Sequence, residues 1–291
     1  MKSVGDLGED GLIARLCAGL PGRDDLVVGP GDDCAVVGRG DRLTLLKTDA
    51  VVAGVHFLPE EAALRVGWKA VARVLSDFAA MGGRPGEFLV TLALAPEVEV
   101  AWVSALYDGM KACLEKHGGI IVGGETTSLP AGTPTMISVA GTGVVARKSL
   151  VTRSGGQAGD AVYVTGTLGG SIRGKHLDFT PRLTEAQWLA DQFKITAMMD
   201  LSDGLAKDLP RLAAMSGVGF EIDREALPLA QGMGIAQALG DGEDYELLVT
   251  SREEIGERWR ERFPELLLTK VGYLVAGKGE ALDGGWDHFR R

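Results

Sequence analysis

Basic segments, paired cysteines and long apolar runs are all scarce in this 291-residue chain, and each scarcity closes off a class of function. The formal net charge is −10, a field that repels nucleic acid and anionic membrane surfaces, both of which recruit basic patches. No run of roughly five or six like charges forms a charged tail. Cys17, Cys34 and Cys113 show no CxxC spacing, and an odd, scattered set fits buried thiols in a reducing compartment. No stretch approaches about 18 uninterrupted apolar residues, and Lys2-Ser3-Val4-Gly5-Asp6 opens no apolar run of the signal-peptide kind. The expectation is a soluble cytoplasmic protein without nucleic-acid or membrane partners. Familiar phosphate and metal signatures are missing too. There is no Gx4GK[ST] P-loop, no HRD or DFG of protein kinases, and no His/Cys cluster at zinc-ligand spacing.

Glycine, in contrast, is abundant: 42 residues, against a usual share of roughly 7%. The glycines sit beside particular Asp, Ser and Thr residues rather than in runs, which favours tight turns over low complexity. Between them, strand-like and helix-like segments alternate, so the pattern predicts an α/β (α+β) fold. Helices are predicted over Glu9 to Leu20, Glu60 to Met81 and Glu99 to Lys116. Strands are predicted over Cys34 to Val37, Leu43 to Lys47, Phe88 to Leu94, Ile120 to Val122 and Thr135 to Val145. Around Arg147 to Gly159 the pattern breaks into Arg, Ser, Gly and Gln, as at a hinge. The length suits two domains, and we expect them at 1–147 and 148–291. In the second half, strands are predicted over Ala161 to Thr165, Phe220 to Ile222, Tyr245 to Thr250 and Leu266 to Val275. Helices there are predicted over Ser202 to Ser216, with Pro210 inside it, and Glu253 to Arg262.

Five Gly/Asp-rich turns punctuate these elements: Gly29 to Asp33, Lys47 to Asp49, Leu75 to Gly82, Gly123 to Thr127 and Asp200 to Gly204. Each alone reads as a helix cap or a turn. Their recurrence says more. Carboxylates at strand ends and helix starts can converge on one rim, where they repel one another unless cations neutralise them. Hard oxygen ligands of this kind suit Mg²⁺, which also takes substrate phosphates. Glycines would let backbone N–H groups approach anionic oxygens closely. His56, just after the second turn, reads equally as a structural residue or a substrate contact. Gly285-Trp286-Asp287-His288-Phe289 either docks the tail or offers an aromatic face to a flat cationic ring.

In order, GPGDDCAVV, TDAVVAGVHF, SDFAAMGGRP, GGETT, TRSGGQAGDAVYVTG, MDLSDGL, GEDYELL and GWDHF resemble the thiamine-monophosphate kinase family, over nearly the whole chain. The acidic turns are shared with the wider aminoimidazole ribonucleotide synthetase-like superfamily. The GVHF, GEDYEL and DHF segments are narrower. The resemblance implies a two-domain fold: an N-terminal mixed sheet with helices, pairing into a dimeric barrel, and a C-terminal α/β sandwich closing over the site. It implies a homodimer that phosphorylates thiamine monophosphate with ATP and Mg²⁺ by direct in-line transfer, with no obligatory catalytic side chain. Metal ligands implied are Asp33, Thr48, Asp49, Asp77, Glu125, Asp200 and Asp203. Gly124, Glu125, Arg153 and Ser202 would lie at ATP, and His56, Glu243 and Trp286 at the thiamine substrate.

The chain departs from the family pattern in three places. Lys47 replaces a usual Ser or Thr, and three readings stand: its ammonium replaces a metal ion, meets a phosphate as a point charge, or points away as a solvated lysine whose stem only covers apolar surface. Glu125 replaces an Asp, with a carboxylate one bond further out. The stretch from Gly170 to Asp200 is short, leaving the outer wall of the site open to question. Two rival functions stand beside the main one: another ATP-using superfamily member acting on a purine-pathway intermediate, and a non-catalytic sensor of thiamine phosphates.

Overall fold

A computed structural model describes residues 2–289. The chain begins with α1 (Val4–Cys17), β1 (Leu26–Val28), β2 (Ala35–Arg39), β3 (Arg42–Val52), α2 (Ala63–Ala80) and β4 (Arg84–Leu94). Then come α3 (Val100–His117), β5 (Ile120–Ser128), β6 (Met136–Ala146), β7 (Ala161–Thr165), α4 (Lys175–Asp178), α5 (Leu183–Gln192) and β8 (Ile195–Asp200). The last elements are α6 (Leu205–Ser216), β9 (Gly219–Ile222), α7 (Ile235–Gly240), β10 (Leu247–Ser251), α8 (Gly256–Arg262) and β11 (Leu268–Val275). Two sheets result, a mixed one in the order β1-β2-β3-β6-β4-β5 and an antiparallel one in the order β8-β10-β7-β11-β9. The fold is α/β, as the alternation predicts.

Helix α2 lies at the centre, packed on α3, on α4 and α5, and on strands of both sheets. Its crossing with α3 is close because glycines meet there. A Cβ on Gly67 would lie 1.9 Å from the Leu106 carbonyl oxygen, and one on Gly109 would lie 1.8 Å from that of Leu64. The hydrophobic core runs from Leu43, Leu45 and Val90 of the first sheet through α2 into Tyr163, Met198, Leu247 and Val249 of the second. Alternate residues of those later strands, Val162, Val164, Met199 and Leu248, face away and pack with Leu205, Leu209 and Leu212 of α6. The second sheet is thus buried on both faces. That explains why β7 and β10 are buried throughout although their sheet is antiparallel.

Several boundaries move from the sequence expectation. The acidic turn expected at Gly123 to Thr127 is strand, because β5 continues through it in parallel register with β4. Helix α6 starts at Leu205 rather than Ser202, and it runs through Pro210 without ending. Asp208 inside it reaches back to accept the Ser202 and Asp203 N–H groups at 3.1 and 2.9 Å, holding those two residues outside the helix. β10 starts two residues late, since Glu243 and Tyr245 sit at φ values of 55° and 50°. The short stretch from Gly170 to Asp200 holds α4, α5 and β8, none of them expected.

Candidate active site

Three of the acidic turns converge. Asp33 lies in the loop before β2, Asp77 in the last turn of α2 and Asp200 at the end of β8. All three are buried, with carboxylate oxygens within 4.8 Å of one another. Asp77 sits at the negative end of a helix, the wrong place for an anion unless cations answer it. Burial first, then the charges of Asp49, Asp200 and Asp33, push its carboxyl well above the usual carboxylate range, against the pull of Lys47. Asp200 is pushed up to about 6 by burial and by Asp33. Asp32, unforeseen as a site residue, rises to about 6 by burial and its neighbour Asp33 while accepting the Arg153 N–H.

Cations line the same nest. Lys47 Nζ lies 2.7 Å from Asp77 Oδ1 and 3.9 Å from an Asp49 oxygen. An Arg153 guanidinium nitrogen donates to Asp33 Oδ1 at 2.6 Å. Arg73, from α2, donates to the Ala50 carbonyl oxygen at 2.9 Å and reaches within 3.9 Å of Asp49. Burial pushes Asp49 up, but Lys47 and Arg73 outweigh it and hold the carboxylate below its ordinary range. Three buried polar atoms here, Asp33 Oδ2, Arg73 Nε and Arg153 Nε, have no hydrogen-bond partner among the described residues. A buried orphan acceptor beside two further carboxylates fits a hard divalent cation. The residues suited to hold one are Asp33, Asp77 and Asp200.

A cavity of about 520 Å³ meets this nest at Asp49 and Arg73 and is lined by them together with His56, Ser202, Asp203, Glu243, Tyr245 and Trp286, among others. It therefore gathers one residue expected at ATP, two expected at metal and the three expected at the thiamine substrate. Trp286 is held by its backbone N–H, which donates to the Asp203 carbonyl oxygen, and by its indole N–H, which donates to His288 Nδ1 at 3.3 Å. His56 Nδ1 accepts the Val52 N–H at 3.1 Å, and burial, with Arg73 nearby, lowers the ring to about 3. At neutral pH it is an uncharged imidazole. Glu243 rests on a buried hub: Lys69 Nζ contacts both its carboxylate oxygens, His176 Nδ1 and the His56 carbonyl oxygen, at 2.6–2.9 Å. Burial pushes Glu243 up, but hydrogen bonding to His176 and the charge of Lys69 carry it down to about 2. The cavity thus offers a fixed negative charge close to an indole.

Not every expected residue joins. The Thr48 side chain lies on the opposite face of β3 from Lys47 and Asp49, near Ser138 Oγ at 3.3 Å, because side chains alternate along a strand. Asp203 pairs with Arg211 at 2.6 Å and Lys207 at 3.1 Å rather than with the other aspartates. Glu125 is exposed on the edge strand β5, opposite Thr91 and outside the buried trio. Gly124 has a packing reason to be glycine, since a Cβ would lie 1.9 Å from the Val90 carbonyl oxygen. Arg73, Lys69, His176 and Asp208 are missed by sequence reasoning. In a helical pattern, Lys69 and Arg73 read as ordinary surface charges.

Models of the AIR synthase related protein match residues 31–145 (N-terminal domain) and 132–283 (C-terminal domain). The thiamine-monophosphate kinase of Salmonella typhimurium is 36% identical over 277 residues, covering 84% of this chain and 83% of its own. The chain belongs to the thiamine-monophosphate kinase family. The Aquifex aeolicus member is 35% identical over 98% of this chain and 99% of its own. A solved family member, described as AaThiL complexed with AMPPCP and TMP, superposes with a TM-score of 0.87 at 33% identity, covering 99% of both chains. The AIR synthase-like two-domain fold is therefore shared with the kinases of this family.

Proposed function

We propose that this protein transfers the γ-phosphoryl group of ATP to the phosphate of thiamine monophosphate, releasing ADP and thiamine diphosphate. The observation that carries this reading is the cavity that gathers Trp286, His56 and Glu243 with Asp49 and Arg73, Asp49 being linked through Lys47 to Asp77 of the buried trio. A flat cationic ring at the indole, beside ionised Glu243, would direct its phosphate toward the cations. The acceptor phosphate is already ionised at neutral pH, so its oxygen attacks the γ-phosphorus directly. The bond to the bridging oxygen breaks, ADP leaves with the electron pair, and no general base or phosphoenzyme is required. Bound Mg²⁺ would neutralise charge developing on the transferred group. Asp33, Asp77 and Asp200 would hold it, with Asp49 at the border between the two substrates. Arg73 and Arg153 each have a buried Nε to spare for phosphate oxygens. Such a site works by positioning and electrostatics.

Dimerisation belongs to the same reading. Strand β5 is an exposed edge, and Leu46, Leu89, Val122 and Val144 leave an apolar surface on the outer face of the first sheet. An edge of this kind is covered in a stable protein, and a second copy forming a barrel would cover it and bring Glu125 toward a neighbouring site. Among the described residues, no helix is long and apolar enough to cross a membrane. We place the enzyme in the cytoplasm. Incubating purified protein with ATP, Mg²⁺ and thiamine monophosphate should yield thiamine diphosphate and ADP in equal amounts. ADP without the diphosphate would point to another acceptor, and binding without turnover to a sensor.

A further inference from the structure

The carboxylate nest contains a cation of its own. Asp33, Asp49, Asp77 and Asp200 face Lys47, Arg73 and Arg153. Both arginines are also tied to backbone carbonyls, Arg153 to that of Gly31 and Arg73 to that of Ala50. Lys47 is not. Its only hydrogen bond among the described residues goes to Asp77 Oδ1, and its only other ion pair to Asp49. The strand alternation that sends Thr48 outward turns Lys47 and Asp49 inward together, so the ammonium is delivered between two carboxylates by the backbone itself.

We propose that the Lys47 ammonium is a tethered cation occupying the Asp49–Asp77 position, so that this enzyme needs one divalent ion fewer than its carboxylates would otherwise bind. This rests on the reading of the aspartates as a metal site. A compact ammonium is a point charge that meets carboxylate oxygens from any side, which a planar guanidinium does not do. At 2.7 Å from Asp77 Oδ1 it already takes one of the oxygens a metal would use. The Asp77 carboxylate still groups with those of Asp33 and Asp200, where an ion would sit. Asp33 Oδ2, buried and without a partner among the described residues, marks that remaining position. The consequence is chemical economy: one cation of the phosphate-binding set is covalently attached and cannot dissociate when Mg²⁺ runs low.

The test counts ions rather than turnover. Mn²⁺ bound per chain in the presence of AMPPCP is measured by electron paramagnetic resonance for the wild type, Lys47→Ser, Lys47→Arg and Asp200→Asn. We expect Lys47→Ser to bind one additional Mn²⁺ per chain, with Lys47→Arg at the wild-type count. Half-saturation of the added site should come at least about tenfold below that of free carboxylates, since two buried carboxylates lose their cation. Asp200→Asn should lose one ion. An unchanged count in folded Lys47→Ser, alongside loss in Asp200→Asn, overturns the lysine proposal alone. Equal counts in wild type and Asp200→Asn overturn the metal reading, and this proposal with it. If Lys47→Ser does not fold, the near-isosteric Lys47→Met is counted in the same way, because it also removes the charge.

Discussion

Replacing Lys69 by methionine should destabilise the protein by about 3 kcal/mol at neutral pH. The side chain is fully buried, and methionine fills nearly the same space, so little of the loss comes from packing. What is lost is the donor to the His56 carbonyl oxygen at 2.6 Å and the countercharge to Glu243 at 2.7 Å. Removing one partner of a buried ion pair costs about 3–5 kcal/mol, because it strands the other charge. The lower end applies for two reasons. Glu243 keeps His176 at 2.8 Å and is 19% exposed to the cavity. Burial also pushes Lys69 down to about 8 even beside Glu243, so deleting it removes a desolvation cost as well as a partner. Urea unfolding followed by tryptophan fluorescence measures the effect, and the double variant with Glu243→Gln is decisive. With neither charge left, it should cost about 1–2 kcal/mol, less than the two single changes together. Strict additivity would falsify the hub as a coupled unit. The acid limb gives an independent check. Glu243 titrates at about 2 rather than 4.5, so the unfolded state binds the proton first, and this contribution is full above pH 4.5. About 3 kcal/mol should then be lost as pH falls from 4.5 toward 2, a loss absent in Glu243→Gln.

Asp49→Asn should lower kcat by roughly two to three orders of magnitude without lowering Tm, because a neutral amide leaves the charge between the two substrates unbalanced; near-normal turnover at ordinary Mg²⁺ refutes the role. Trp286→Ala should raise KM for thiamine monophosphate several-fold to about thirtyfold and leave that for ATP alone, from a ring contact worth about 0.5–2 kcal/mol. Equal changes in both would mean that the indole only anchors the tail. Gly124→Ala should part β5 from β4, costing about 1–3 kcal/mol in thermal unfolding and weakening the dimer proposed above, with light scattering as the measure. An unchanged Tm would contradict the 1.9 Å approach to Val90.

Much of the candidate site was legible in the residues alone, because its acidic residues are packed into short segments. Asp33, Asp77 and Asp200 each sit in a Gly-, Ser- or Asp-rich segment whose composition fits a cap, and only their recurrence hinted at convergence. The order of the segments, down to the terminal GWDHF, was enough to indicate the family. The helices α2 and α3 and strands β4 and β6 followed from apolar period, since one face of each is core. What tertiary structure decided is which faces meet. Whether Thr48 or Lys47 and Asp49 turn toward α2 depends on the side of β3 that α2 covers, and a period of two allows either. The segment with Glu125 became strand because β4 was beside it to pair, which no local signal announces. Lys69, His176 and Glu243 are 174 positions apart at their extremes, and Lys69 reads as a solvated helix charge until α4 and the Glu243 loop close over it. Burial turned that charge into a partner, and burial is a property of the packed chain rather than of any segment within it.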